Sequence, residues 1–383
     1  MLRRSPSSLQ DILVGAQEHR VQILVSPVRR DPSRHGAFRL ERFGYRLGAE
    51  YFYPASSIKL CAAVAALQTL EELESTATGA GLLNSPFEIA PLFPGDPVQL
   101  EDTSNLVGGR ITVGHEIRKL GLVSDNRAFN RLFDLVGHGG IHQRMRSLGL
   151  SSAVVNHRLS EPRSIPDARS SAAVTFRPLD HPTVGLPART SSLELTNRAE
   201  RLQVGDAYLR GDERVSLPMD FTARNGITLQ DLQDLLIKVV RPDIDLATPG
   251  LSLRLAHRQF LLAALTQFPC ESTNPAYPAG DFPTDSFKPL LPGVRRVLSE
   301  TQAGRRVECT CKIGQAYGFT VENAYLRNPL NGEAVFVTAV IYTNADGVLN
   351  DDRYEYEQVA MPFMADLGEW IAREWLATGR VLP

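Results

Sequence analysis

The 383-residue chain has no apolar stretch of about 20 residues, so no membrane-spanning helix is expected. Cysteine is scarce. Cys61, Cys270, Cys309 and Cys311 are too few and too scattered for a disulfide framework or a tetrahedral metal site, although Cys309 and Cys311, alternating with Thr310, would share one face of a strand. An excess of either charge is missing too: Lys+Arg 41 against Asp+Glu 43 leaves −2, which suggests neither a nucleic-acid surface nor an acidic solvating tail. No glycine-rich phosphate signature follows a strand, and the eight histidines show no metal-ligand spacing, so neither metal nor cofactor is expected. The opening Met1-Leu2-Arg3-Arg4 is basic, but no apolar run of signal-peptide length follows, so the chain as given shows no leader and points to no compartment. What remains is an ordinary globular composition, 43% hydrophobic and 22% charged, able to bury a large core.

The organising stretch is Tyr53-Pro54-Ala55-Ser56-Ser57-Ile58-Lys59-Leu60, which runs into Cys61-Ala62-Ala63-Val64-Ala65-Ala66-Leu67. From Ile58 to Leu67 the one charged residue is Lys59, and no Gly or Pro interrupts the run, which predicts a helix buried on nearly all sides. Ser56 and Lys59, three apart, fall on one face at the helix start, where free N–H groups favour developing negative charge. A desolvated amine there can take a serine proton. Taken alone the pattern is short, and a serine at a helix start is ordinarily an N-cap.

Along the chain, Leu9 to Glu18 reads as a weak helix, Val21–Val25 as a strand and 37–43 as its antiparallel partner. Residues 76–110, rich in Gly and Pro, read as mostly loop. Thr112 reads as the N-cap of a helix leading to Val123-Ser124-Asp125-Asn126. A second helix runs from about Arg127 to Gly137, His138-Gly139-Gly140 is a turn, and a third carries Ile141, Met145 and Leu148. A capped helix is expected at 227–236, strands at 307–314, 318–326 and 334–342, and a closing helix with Phe363, Leu367, Trp370, Ile371 and Trp375 inward.

Ser56-x-x-Lys59, then Ser124-Asp125-Asn126 68 residues on (56 to 124), then Lys312-Ile313-Gly314 on a late strand, resembles the three signatures of class A β-lactamases and the related penicillin-binding proteins, in order and each on the expected element. The resemblance runs from about residue 9 to 377. It implies an α+β fold, an antiparallel sheet flanked by helices with an inserted all-helical part: one catalytic domain over 1–383, with the α/β part from about 1–55 and 226–383 and the helical part about 56–166. It further implies a monomer acting on a small-molecule substrate, and a periplasmic or secreted protein. Ser56 would be the acylated nucleophile, Lys59 would share in proton removal, Ser124 would relay a proton to the leaving nitrogen, and Asn126 would contact the substrate amide. Lys312 would hold the substrate carboxylate. The oxyanion hole would come from the backbone N–H groups of Ser56 and Gln315, after Gly314. Asp125 is expected to hold its own turn. Ser56, Lys59, Ser124, Asn126 and Lys312 should converge in a groove.

Three departures qualify the resemblance. Ile313 stands where the family has a hydroxyl residue; a lost carboxylate contact of this kind costs about 0.5–1.5 kcal/mol. The family's water-holding Glu-x-x-Leu-Asn loop is represented by Glu161-Pro162-Arg163-Ser164-Ile165, so Glu161 is the candidate general base but its Leu-Asn partners are gone. A surplus of chain at about 167–225 reads as a β-rich or irregular insert beside the site. The function implied is acyl transfer through a serine ester, with β-lactam hydrolysis first. A D,D-peptidase or esterase of the same fold and a β-lactam-binding protein that acylates without turnover stand as alternatives.

Overall fold

A computed structural model describes residues 7–78, 81–283, 286–298 and 307–377. The basic opening, residues 1–6, lies outside the described residues. The fold is α+β, and the chain divides into two compact units. Unit 1 comprises Met1–Ser57, Thr196–Ala247 and Phe287–Pro383; unit 2 comprises Ile58–Leu195 and Thr248–Ser286.

Unit 1 is built on a seven-stranded sheet. Its path runs Glu308–Cys311, Phe319–Arg327, Ala334–Tyr342, Gln22–Arg30, Phe38–Leu40, with Gly314–Ala316 on the second strand and Phe43–Tyr45 on the fourth. All of its pairings are antiparallel. The central strands are buried at nearly every position rather than at alternate ones, because helices cover both faces. One cover is the helix Leu229–Val240, capped by the Thr228 side chain, which accepts from the Asp231 N–H. Beneath it polar side chains are fully bonded: Asn323 Nδ2 donates to Leu232 O at 2.8 Å, Thr338 Oγ1 to Asn323 Oδ1 at 2.9 Å, and Gln233 Nε2 to Leu24 O at 3.0 Å. The closing helix Met361–Ile371 and the turn after it bury all five expected residues.

Unit 2 is organised round the helix Lys59–Leu73, eleven of whose fifteen residues are buried. Small residues let its neighbours approach: Val113–Val123, Asn126–Val136 and His138–Ser147 pack against it. Leu255–Thr266 packs on Val113–Val123. Thr112 caps its helix as expected, accepting from His115 N at 3.1 Å. His138-Gly139-Gly140 is not a turn. Gly137, at φ 79, makes the whole break between helices, and the next helix starts at His138. Within 76–110, read as mostly loop, Phe87–Ile89 pairs with Val174–Phe176, which pairs with Val184–Leu186. Strands of three residues leave too little periodicity to separate them from loop. The surplus chain at 167–225 does carry short strands, but its first part, up to Leu195, belongs to unit 2, and the rest to unit 1, where Ala207–Arg210 pairs in parallel with Val348–Leu349.

The helical unit contains a buried pH-sensitive pair. His142 Nε2 accepts from Val155 N–H at 2.9 Å, so the ring proton sits on Nδ1 and is donated to His138 O at 2.7 Å. The bond that Nε2 accepts needs the neutral ring, while the bond that Nδ1 donates survives protonation. Burial, with the neighbouring His138 ring second, pulls His142 from the usual 6.5 down to about 3. The unfolded chain therefore takes up this proton first as pH falls, and stability is lost from about pH 6.5 down toward pH 3. A His142→Gln variant should be less stable at pH 7 but lose melting temperature less steeply between pH 6.5 and 5 than the parent does.

Candidate active site

The chain enters the candidate site through a 3-10 turn, Ala55–Ile58, that passes directly into the helix Lys59–Leu73. The N-cap position is Ile58 and no side chain caps this helix, so Ser56 is not an ordinary capping serine. Ser57 has the structural task instead: it is buried, and its hydroxyl donates to Pro54 O at 2.6 Å. Ser56, half-buried, lies one turn before Lys59 on the continuous backbone. Ala55 is held at φ 47, a left-handed conformation that costs a non-glycine residue about 1–3 kcal/mol. Ser124 (φ 60), Ser160 (φ 53) and Tyr317 (φ 53) share this strain, all at or beside candidate residues.

In unit 1 the strand Gly314–Ala316 passes against that turn. A Cβ built on Gly314 would lie 2.5 Å from Pro54 O, 2.8 Å from Ser56 N and 2.7 Å from Ser57 N. Only a glycine lets the strand come so close to the Ser56 and Ser57 amides. Gly314→Ala should therefore lower stability by about 1–3 kcal/mol, which thermal melts would check. The Gln315 side chain donates to Thr320 Oγ1 at 3.2 Å, leaving its backbone as the part suited to the expected role. Lys312, 2% exposed, donates from Nζ to Ile313 O at 2.9 Å and from its amide to Asn323 O at 2.9 Å. Burial pushes its amine down to about 8, against the opposing pull of Cys311 and Glu322. Tyr53, Phe221 and Tyr317 pack ring on ring, with centroids 5.6, 5.1 and 5.5 Å apart, so the surplus chain contributes Phe221 to the support of this turn.

In unit 2 three candidate residues form one bonded cluster. Lys59, fully buried, donates from Nζ to Asn126 Oδ1 at 2.6 Å, to Ser124 Oγ at 3.3 Å and to the Ser124 carbonyl. Ser124 ends one helix in a left-handed conformation, and Asp125 caps the next, accepting from Ala128 N at 2.7 Å, which is the turn-holding role expected of it. Glu161 stands outside this cluster. Its carboxylate accepts from Asn130 Nδ2 at 3.2 Å and Arg163 Nε at 3.0 Å, and Arg163 also bonds Asp96 at 3.0 Å. The residue that reaches Asn126 is Ser160, whose Oγ accepts from Asn126 Nδ2 at 2.7 Å. A cavity of about 840 Å³ is lined by Asn126, Asn130, Ser160, Glu161 and Arg163, among others.

Sequence reasoning missed two members. Asn130 clamps the Glu161 loop through Leu159, accepting from its N–H at 2.9 Å and donating to its carbonyl at 3.0 Å. Its position, one helical turn after Asn126, was a usable signal. Ser160 offered none, because the loop conformation that aims its hydroxyl is set by these tertiary bonds.

The family model described as the beta-lactamase enzyme family matches residues 41–244. A search of curated proteins gave no match. Among solved structures, the chain is similar to a beta-lactamase from Desulfarculus baarsii (TM-score 0.51, 16% identity, covering 95% of this chain and 96% of that one). It is also similar to a class A beta-lactamase from Mycobacterium abscessus (0.50, 16%, 96% and 98%) and a beta-lactamase from Burkholderia ambifaria (0.50, 14%, 96% and 98%). At these identities the likeness is one of fold. The family match spans more than half of the 383 residues, and the chain belongs to the beta-lactamase enzyme family.

Proposed function

We propose that this protein opens β-lactams by forming an acyl ester on Ser56. The single observation that carries the reading is the Lys59 amine, dry, one turn after Ser56 and bonded to both Ser124 Oγ and Asn126 Oδ1. In the proposed reaction Lys59 takes the Ser56 proton as Oγ attacks the lactam carbonyl. The N–H groups of Ser56 and Gln315 stabilise the oxyanion, and on collapse the C–N bond breaks while Ser124 delivers a proton to the leaving nitrogen. Asn126 aligns the substrate amide, and Lys312 offers its charge to the substrate carboxylate without help from Ile313, which is buried and carries no donor.

Release of the acyl group is the weaker half of the proposal. Glu161 is the one carboxylate at the expected distance along the chain, yet its two oxygens accept from Asn130 and Arg163, which leaves them less free to hold a water. This favours a second reading, a protein that acylates and deacylates slowly. Intact-protein mass after mixing with a penicillin, alongside colour release from a chromogenic cephalosporin, separates the two. Colour release with a short-lived adduct means hydrolysis, and a lasting adduct of penicillin mass means slow release. No adduct and no colour would overturn the β-lactam assignment.

A further inference from the structure

Unit 1 holds a cluster of buried side chains for which the acylation chemistry has no use. Cys309 and Cys311 lie two apart on the strand Glu308–Cys311 and so point to one face of the sheet. On the neighbouring strand Cys311 pairs with Ala324, which puts Glu322, two residues from Ala324, on that same face. Asn323, between them, points the other way, to the helix Leu229–Val240. One donor atom from each of Cys309, Cys311 and Glu322 lies within 4.8 Å of the others. All three residues are buried, and among the described residues the Glu322 carboxyl has no N–H or O–H partner, only the Cys311 thiol beside it. A buried carboxyl group without a strong donor needs an explanation.

We infer that Cys309, Cys311 and Glu322 form a buried site for a thiophilic divalent cation of the Zn²⁺ class. Two sulfurs and one carboxylate oxygen make three protein donors, since the two oxygens of a carboxylate are too close together to take two corners of a tetrahedron; a water entering with the ion would complete the fourth. Ligand bonds of about 2.0–2.3 Å place such donors about 3.5–4 Å apart, which small side-chain rotations supply from the present spacing. Sulfur selects against Ca²⁺ and Mg²⁺, which take oxygen ligands. The two thiolates and the carboxylate bring −3 and the cation +2, and the buried amines of Lys288 and Lys312 both stand beside them. Lys288 is itself buried, with Nζ 2.9 Å from Cys309 O and 3.7 Å from Cys311 Sγ, placed to donate to a metal-bound thiolate. Binding exchanges two thiol protons for one cation and needs no oxidant. Because the site is closed, the ion enters as the chain folds. The expectation from cysteine count alone is thereby revised, since the third ligand comes from a neighbouring strand. Fixing Cys311 would fix the strand end that bears Lys312, so the site stiffens the edge and takes no part in bond breaking.

The test is full-length protein produced in Co²⁺-supplemented and Zn²⁺-supplemented media, and refolded with each ion. One equivalent of metal per chain is expected, and the Co²⁺ form should show thiolate-to-cobalt charge transfer with tetrahedral d–d bands. The pair Cys309→Ser/Cys311→Ser should lose the metal, Glu322→Gln should lower occupancy at least tenfold, and Cys61→Ser/Cys270→Ser should keep it. Protein that stays metal-free in excess ion, a Co²⁺ form without thiolate bands, or metal lost with Cys61 and Cys270 instead overturns the site. Should the Cys309/Cys311 pair fail to fold, the parent Co²⁺ spectrum and the Cys61/Cys270 variant still decide.

Discussion

Replacing Ser56 by alanine is expected to abolish the covalent adduct with a penicillin and to lower any β-lactam turnover by roughly 10⁴- to 10⁶-fold, the loss typical when a covalent nucleophile is removed. Stability should hardly change, because Ser56 is only half-buried and the turn is held by its neighbour: the Ser57 amide and hydroxyl both donate to Pro54 O, at 3.0 and 2.6 Å. The adjacent serine supplies the control. Ser57→Ala removes a buried hydrogen bond worth about 1 kcal/mol and should lower the melting temperature while leaving adduct formation at Ser56 intact. Intact mass and thermal melts on both variants read the difference directly. An adduct that survives Ser56→Ala and disappears in Ser57→Ala would move the nucleophile by one residue, and with it the register of the whole motif against the lysine.

How much of this was legible in the sequence depended on whether the deciding contact was local. The caps at Thr112 and Thr228, the buried Ala-rich helix after Ile58 and the closing helix with Trp370 and Trp375 rest on neighbours within one or two turns, and each lies where its pattern put it. The cluster of Lys59, Ser124 and Asn126 was legible for a different reason: the resemblance supplied the pairing, and the hydrogen bonds of the Lys59 amine agree with it. What failed was non-local. Phe87–Ile89 is a strand because Val174–Phe176, far along the chain, offers it an edge. Ser160 faces Asn126 because Asn130 clamps Leu159, and Glu322 stands beside Cys311 because of strand register. No periodicity in a single segment encodes a partner that another segment brings. The helix Leu255–Thr266, for which no expectation was formed, has no side-chain cap at its start.

Replacing Lys59 by methionine tests the proposed base apart from the proposed nucleophile. Methionine fills nearly the same volume, so packing changes little, but the Ser124 carbonyl and Asn126 Oδ1 lose the donor they share. Each acceptor left dry costs about 1–3 kcal/mol, while the cost of burying an ammonium is relieved; the two oppose each other, and a modest fall in melting temperature is the expected balance. The kinetic effect is larger. Without an amine to take the Ser56 proton, acylation should slow by about 10²- to 10⁴-fold, the usual contribution of a positioned base. The adduct, once formed, should still have its ordinary mass, because the serine remains. Time-resolved intact mass therefore distinguishes the variants: Ser56→Ala gives no adduct at any time, Lys59→Met gives the same adduct slowly. If Lys59→Met acylates as fast as the parent, the amine is a structural donor that holds Ser124 and Asn126 in place, and the proton of Ser56 must leave by another group. If it neither acylates nor binds substrate, the lost alignment of Asn126 accounts for the defect. Asn126→Ala, which keeps the amine, would then reproduce the failure to bind.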